Sequence, residues 1–476
     1  VKIVMKELWL YGSGKRCHIL LNLVKNTDYA VCGIVDSDAD KWGQNFNGIT
    51  IESPDVLRKY SGIYVCVTFY SSLVYEPTWN KLELNYGIPF TRQLSFHDVL
   101  LDIYLQHTKK LTYPICGGNR KILFDASWGL GHGGVESWLK DMIFWCDQAG
   151  WKNFYLLSAP KQERIKREVE THIQEFSYED TMVFSPEYIQ KGIDFLRENG
   201  PCTIVFSRVN ELMVSACLLK RNYPEQYKVI MVDHGSSDGM YRDILSYRKM
   251  IDKYVCVSQG IRETLVSYGI PEQRVFSMTV PMPYEKTLER TYSMDPGEAI
   301  HLGYAGRLEK FEKRMDIMIQ LIEELEKRNV KYYLEIAGTG SYYDKLRQLI
   351  SEKKIENHIS LLGWLPREKM NAFWQRQDVA LNVSDNEGRP IANMEAMLNG
   401  AVPIVTKTIG VLDDVHDGEN GFVVPICDYV GMAAKIEYLG KKRAVLPKMG
   451  KRARKEMILK MDMGKYMSMW EKILKE

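Results

Sequence analysis

Short apolar runs followed by stretches of helical periodicity recur along this chain and constrain its fold more than any other feature. They fall at residues 8–11, 29–35 and 63–67, then at 121–125, 153–157, 203–206, 229–232 and 254–257, then at 300–304, 332–337, 359–362, 379–383 and 402–405. Apolar runs of this length, without strict alternation, suit strands covered on both faces, and strands alternating with helices suit parallel sheets. The expectation is an α/β protein built of Rossmann-like units.

Two breaks divide the pattern. Tyr113-Pro-Ile-Cys-Gly-Gly-Asn119 interrupts all periodicity, and the polar stretch 284–298, with its Pro296-Gly297 pair, reads as a hinge. The expected organisation is an accessory Rossmann-like domain over 1–112, two larger α/β domains over 118–288 and 296–455, and a C-terminal helix over 456–476. Helices are expected over 54–60, over 135–149, and around Met315, where Met315, Met318, Ile319, Ile322 and Leu325 share one face.

Composition narrows the function. Lys and Arg total 63 against 61 Asp and Glu, so the net charge of +2 gives no global attraction to nucleic acid, and no such partner is expected. The densest basic stretch runs from Lys441-Lys-Arg443 through Lys448, Lys451, Arg452, Arg454 and Lys455. It reads as a solvated helix face, with peripheral contact to anionic lipid as the other reading. The nine cysteines are scattered without a C-x-x-C pair, as in a reducing cytoplasm. No run approaches the ~20 apolar residues of a membrane span, and the first residues lack a secretion signal's apolar core, so a cytoplasmic protein is expected.

The most informative segment is Glu387-Gly-Arg-Pro-Ile-Ala-Asn-Met-Glu395. Pro390 and Gly400 bracket a helix, because proline suits its first position and glycine its end. Glu387 then lies in the loop before the helix and Glu395 inside it, roughly 7 Å from Pro390 at ~1.5 Å rise per residue. Unpaired N–H groups at the helix start suit a diphosphate, and a carboxylate further along suits ribose hydroxyls. Upstream, Gly306-Arg307 follows a strand and Lys313 is read as opening the next helix, so both cations can face one phosphate group. The turn Ala337-Gly-Thr-Gly340 is explained by close packing alone.

The stretch Ser384-Asp-Asn-Glu-Gly-Arg-Pro-Ile-Ala-Asn-Met-Glu-Ala-Met397, with Gly400-Ala-Val-Pro403 and Asp417-Gly-Glu-Asn-Gly-Phe422, resembles the donor half of glycosyltransferase family four, the retaining GT-B enzymes. The resemblance runs from about residue 121 to the C-terminus. It implies two facing Rossmann-like domains, acceptor then donor, and leaves open whether the C-terminal helix crosses back to the acceptor domain. It assigns Glu387 to the reacting sugar, Glu395 to the ribose, and Arg307 and Lys313 to the phosphates. On the acceptor side it assigns Gly133 and Gly134, within Gly131-His-Gly-Gly-Val-Glu136, to the donor phosphates, and His234 to the transferred sugar. Where the family commonly has Phe, this chain has Arg389.

The implied activity is metal-independent, retaining transfer of a hexose from a UDP- or GDP-sugar to a glycan or lipid-linked acceptor in bacterial surface polysaccharide assembly. No cofactor is implied. Asp36-Ser-Asp38, an Asp-x-Asp sequence, lies in the N-terminal segment, away from these residues. That segment pairs Gly12-Ser-Gly14 after one strand with Asp36 ending the next, a partial dinucleotide fingerprint with Cys17 in the third glycine's place. A structural or protein-docking role is the expectation there. Two alternatives are a nucleotide-sugar epimerase, which needs a facing acid–base pair, and a non-catalytic sugar-nucleotide-binding subunit, which needs neither Glu387 nor His234.

Overall fold

The computed structural model describes residues 5–25, 27–69, 72–107, 119–127, 129–130, 133–158, 172–177, 184–235 and 238–475. It contains three sheets. The first is formed by β1 (Lys6–Tyr11), β2 (Tyr29–Val35), β3 (Asn45–Phe46), β4 (Ile49–Glu52), β5 (Tyr64–Val67) and β6 (Gln93–Ser95), in the order β3-β4-β2-β1-β5-β6. Helix α1 (Lys15–Leu23) connects β1 to β2, α2 (Ser72–Leu84) connects β5 to β6, and α3 (Phe96–His107) follows β6. The sheet is parallel except for the β3–β4 hairpin. Asn47 and Gly48, both at positive φ, form that hairpin's turn, an Asn-Gly signal that the alternation of apolar runs does not register. The expected helix over 54–60 is instead a 3-10 segment, Pro54–Lys59, capped by Ser53.

The second sheet runs β13-β12-β11-β10-β7-β8-β9, from β7 (Lys121–Ala126), β8 (Phe154–Ser158), β9 (Ile173–Glu175), β10 (Cys202–Phe206), β11 (Tyr227–Asp233), β12 (Lys253–Cys256) and β13 (Val275–Ser277). Its helices are α4 (Gly134–Gln148), α5 (Pro186–Glu198), α6 (Glu211–Asn222), α7 (Asp238–Ser246) and α8 (Gln259–Ser267). The third runs β16-β15-β14-β17-β18-β19, from β14 (Ile300–Ala305), β15 (Tyr332–Ala337), β16 (Ile359–Gly363), β17 (Val379–Asn382), β18 (Val402–Thr406) and β19 (Phe422–Val424). It is parallel throughout. Its helices are α9 (Met315–Lys327), α10 (Tyr343–Lys353), α11 (Arg367–Gln375), α12 (Ile391–Leu398), α13 (Tyr429–Lys441) and α14 (Val445–Ile458), with α15 (Met463–Lys475) closing the chain. Each is the doubly wound arrangement that continuous apolar strands require.

The chain forms two compact units. One holds 1–232, 237–255 and 270–275; the other holds 233–236, 256–269 and 276–476. In the first, the N-terminal sheet is joined to the second sheet by buried polar contacts. His97 Nδ1 lies 3.0 Å from the Tyr247 hydroxyl, Ser95 Oγ lies 2.8 Å from Ser246 Oγ, and the Arg242 guanidinium covers the Trp79 ring at 3.8 Å. In the second, Leu302, Leu334, Leu381, Met318 and Leu321 form a core in which each fully buried aliphatic side chain is worth about 1.5–3 kcal/mol.

The segment read as a hinge, 284–298, contains no helix or strand, yet it is pinned to its unit. Arg290 Nη1 donates to the Asn399 carbonyl at 2.7 Å, and the Tyr292 hydroxyl donates to the Gly400 carbonyl at 2.8 Å. The basic stretch is not one solvated face. Arg443 is buried against the Glu298 carbonyl and Arg454 reaches the Leu398 carbonyl, while Lys448, Lys451, Arg452 and Lys455 are exposed. Residues 113–118 of the expected linker lie outside the described residues, as does Cys116; the other eight cysteines are unpaired. No helix among the described residues is long and apolar enough to cross a membrane.

Candidate functional site

In an open parallel sheet, a crevice forms where the strand order reverses, beyond the carboxyl ends of the two strands concerned. In the third sheet that point lies between β14 and β17. The residues leaving β14 are Gly306 and Arg307, and those leaving β17 lead through Ser384 to Glu387. Topology alone therefore brings together segments about 80 residues apart in sequence.

Glu387 is buried, and two donors converge on its Oε1: Lys313 Nζ at 2.6 Å and Ser384 Oγ at 2.7 Å. Ser384 is held in turn, its N–H bonded to Asn382 Oδ1 at 2.9 Å and its carbonyl accepting from Thr406 Oγ1. The Glu387 carbonyl accepts the Gly410 N–H at 3.0 Å. Among the described residues nothing bonds Glu387 Oε2. The carboxylate is thus aimed by one oxygen and open at the other. Burial, and then the nearby Glu387 charge, raise the pKa of Tyr304.

Lys313 reaches Glu387 because it is not in the helix. It was expected to open α9, but α9 begins at Met315, after Glu312 and Arg314 at positive φ. The Asp385 N–H bonds the Glu312 carbonyl at 3.0 Å, fixing this turn to the Glu387 loop. Arg307 stands at the end of β14, but its side chain is 58% exposed and paired with Glu312 at 2.8 Å. Such a surface pair contributes roughly 0–1 kcal/mol and is readily exchanged for another anion. The two cations expected to act together therefore occupy the same edge while holding different carboxylates. The Ala337-Gly-Thr-Gly340 turn does pack closely, but against the peptide leaving β14 rather than a helix: a Cβ on Gly338 would stand 1.9 Å from the Gly306 carbonyl oxygen.

Pro390 is the N-cap of α12, one position earlier than expected, and no side chain caps that end. The first amides of the helix can therefore serve an anion. Glu395 lies on α12, where burial pushes its pKa up to about 7, with Trp374 and Arg367 acting in the opposite direction. Arg389, just before the helix, is buried and bidentate to Asp414, Nε to Oδ2 at 2.9 Å and Nη2 to Oδ1 at 2.6 Å.

His234 follows β11, and its backbone belongs to the same compact unit as Glu387. Its carbonyl oxygen is 2.0 Å from where a Gly388 Cβ would stand, so only glycine fits there. The preceding Asp233 is buried, and burial pushes its pKa up to about 7 against the bond from the Gly235 N–H at 3.0 Å. Gly133 and Gly134 begin α4 in the other unit. The space over Gly133 is taken by the chain's own Glu136 carboxylate, 2.3 Å from where a Cβ would stand. Gly131 and His132 of that loop lie outside the described residues.

Ser384, Thr406 and Asp414 received no role in the sequence reading. Ser384 was legible in principle, three residues before Glu387, since a hydroxyl so placed suits a carboxylate in a loop; nothing in sequence points to Asp414. Among the described residues no cluster of three or more His, Cys, Asp or Glu side chains could hold a metal ion.

Residues 289–456 match the family described as glycosyl transferases group 1, and residues 4–76 match the C2185-like N-terminal family. Among curated proteins, the putative colanic acid biosynthesis glycosyltransferase WcaL of Salmonella typhimurium is 25% identical over 51% of this chain and 60% of its own length. The chain thus spans less than two thirds of that relative's length. Among solved structures, HepE of Anabaena in complex with UDP and glucose superposes with a TM-score of 0.59 at 18% identity, over 75% of this chain and 100% of that one. TarM of S. aureus in complex with fondaparinux, alpha-GlcNAc-glycerol and UDP superposes with a TM-score of 0.60 at 11% identity, again over 75% and 100%. Over residues 289–456, therefore, the chain is similar to the glycosyl transferases group 1, and its fold class is that of the GT-B glycosyltransferases.

Proposed function

We propose that this protein is a retaining, metal-independent glycosyltransferase that moves a hexose from a UDP-sugar to a glycan or lipid-linked acceptor in surface polysaccharide assembly. The observation that carries the reading is the state of Glu387: one carboxylate oxygen tied to Lys313 and Ser384, the other without a partner among the described residues, at the switch point of the third sheet. A sugar hydroxyl can donate to the open oxygen, while the bonds to the other hold the carboxylate in place. UDP is the nucleotide favoured because the superposed HepE and TarM structures contain it.

In the proposed reaction the bond between the anomeric carbon and the diphosphate oxygen breaks, leaving negative charge on the nucleotide. Lys313, Arg307 and the uncapped start of α12 stabilise that charge as it develops. The acceptor oxygen bonds the anomeric carbon from the face the diphosphate leaves, and the acceptor proton passes to a diphosphate oxygen. Glu387 and His234 hold the sugar, and Glu395 takes the ribose hydroxyls. Gly133 and Gly134 are assigned to the donor phosphates from the acceptor side. The acceptor suggests work at the cytoplasmic membrane face, with peripheral contact, and a docking role for the N-terminal domain.

The test is a hydrolysis panel of UDP-glucose, UDP-galactose, UDP-N-acetylglucosamine and the matching GDP-sugars, run on wild type and Glu387→Gln. The expected loss in kcat is at least about 100-fold with UDP affinity by calorimetry nearly unchanged, as for removal of a group that acts in the transition state. Full turnover by Glu387→Gln would remove the assignment.

A further inference from the structure

Arg389 stands two residues after Glu387 and immediately before the start of α12, where a substrate-facing side chain would be expected. It is instead turned into the protein. Its side chain is 5% exposed, and besides the fork to Asp414 its Nη1 donates to the Val257 carbonyl at 3.0 Å and to Thr279 Oγ1 at 2.8 Å. Its carboxylate partner is itself anchored, Asp414 Oδ1 lying 2.7 Å from Lys460 Nζ. Next to it, Asp413 accepts the Gln259 N–H at 2.7 Å. One guanidinium therefore ties four separate stretches of the second unit together.

The peptide it anchors has no slack. Gly388 lies against the His234 carbonyl, and a Cβ on Gly410 would stand 1.8 Å from the Gly388 carbonyl oxygen. The Gly410 N–H also holds the Glu387 carbonyl. Residues 387–389 are layered between the backbone at 234–235 and that at 410. In such a stack, a displacement of the 389 end is passed to the Glu387 carboxylate and to the first turn of α12.

A buried ion pair is a poor source of net stability, because desolvation offsets much of its attraction and an apolar side chain of similar volume can replace it. An aromatic ring would fill this space. What a ring cannot supply is four directional bonds to three different elements, and that is what Arg389 adds.

We infer that Arg389 is a positioning residue for the sugar site: through Asp414, Val257 and Thr279 it sets where the Glu387 carboxylate and the α12 amides stand beside His234. The inference rests on the reading of Glu387 as the sugar-facing carboxylate. It acts on geometry, so its loss appears in turnover rather than in nucleotide affinity.

Arg389→Lys keeps the charge and loses the fork. With whichever UDP-sugar the wild type hydrolyses, it is expected to lower kcat about 10- to 100-fold, the scale of a displacement near 1 Å, with KM and UDP affinity within about twofold. A double-mutant cycle separates positioning from general weakening: in the Glu387→Gln background, Arg389→Lys should cost little further turnover. Thr279→Val, which removes one contact, should lower kcat in the same direction by a smaller factor and covers the case that Arg389→Lys does not fold. Unchanged kcat in Arg389→Lys, or an equal loss with and without Glu387, overturns the inference, and unchanged kcat in Thr279→Val does so where Arg389→Lys does not fold. Full turnover by Glu387→Gln alone sinks the underlying reading of the site instead.

Discussion

The switch points of the first and third sheets each set a carboxylate beyond a strand, beside a glycine-containing turn and a lysine. At the first, Asp36 follows β2 and is consumed by its own chain: the Ser13 N–H at 2.9 Å, Ser13 Oγ at 2.6 Å, the Asp38 N–H at 3.0 Å and Lys41 Nζ at 3.1 Å. The crevice beside it, between β1 and β5, is filled; Thr68 Oγ1 donates to the Gly12 carbonyl at 2.7 Å, and a Cβ on Gly12 would stand 2.6 Å from the Phe69 ring. At the third, Glu387 is bonded through one oxygen only. The comparison separates two states of one pattern, a Rossmann-like turn beside an acidic residue: one carboxylate fully bonded, the other bonded at a single oxygen. On the proposed reading, what distinguishes a staple from a site is whether the protein has already satisfied the carboxylate.

Three experiments can break this contrast. The largest effect is expected from Lys313→Ala, which removes the partner of Glu387 and a cation of the proposed leaving-group site. Donor hydrolysis should fall on the order of 100-fold, as for loss of one preorganised electrostatic group, measured by release of UDP. A loss under twofold would show that the pair is only a surface ornament of the third sheet.

A middle-sized effect should come from Glu395. Burial raises its pKa to about 7, so the native protein favours its protonated form below that pH. Ribose hydroxyls donate best to the ionised form, which binding therefore favours, releasing a proton. UDP-glucose affinity by calorimetry should then rise with pH between about 6 and 8, by up to roughly tenfold for one shifted group, and be flat in Glu395→Gln. A flat wild-type profile would take the ribose role from this residue.

The smallest effect on catalysis is expected at the first sheet. Although burial would raise the Asp36 pKa, its bonds to Ser13 and Asp38, with Lys41, outweigh this and hold it below the usual carboxylate range. A depressed carboxylate contributes stability above its unfolded pKa and loses it as pH falls through the folded value. Asp36→Asn should thus lower stability at pH 7 by about 1–3 kcal/mol, less in acid, with donor turnover unchanged. Reduced turnover at full stability would mean that the first switch point takes part in the reaction after all.

Much of this molecule was legible before folding. The apolar runs mark strands to within a residue or two, as at Val402–Thr406 and Tyr332–Ala337, since burial on both faces leaves little choice of residue. Pro390 and Gly400 bracket α12, and they separate Glu387 in the loop from Glu395 in the helix. The errors have local causes: the turn before α9 takes Lys313 out of the helix because two residues there adopt positive φ, and the 54–59 segment closes as a 3-10 turn.

By itself, then, the sequence determined most of the strands, though not β3, β4, β6, β9, β13 or β19, that they lie in largely parallel doubly wound sheets, and which carboxylate stands in a loop beside a helix start. The tertiary structure alone decided how each of those groups is paired. Lys313 and Glu387 are 74 positions apart, and Arg389 reaches partners 25, 110 and 132 positions away. Periodicity and capping act over a few residues, because they arise from backbone geometry. The pairing of charges across a sheet edge arises only when the strand order is set, and it is that pairing that leaves Glu387 open where Asp36 is closed.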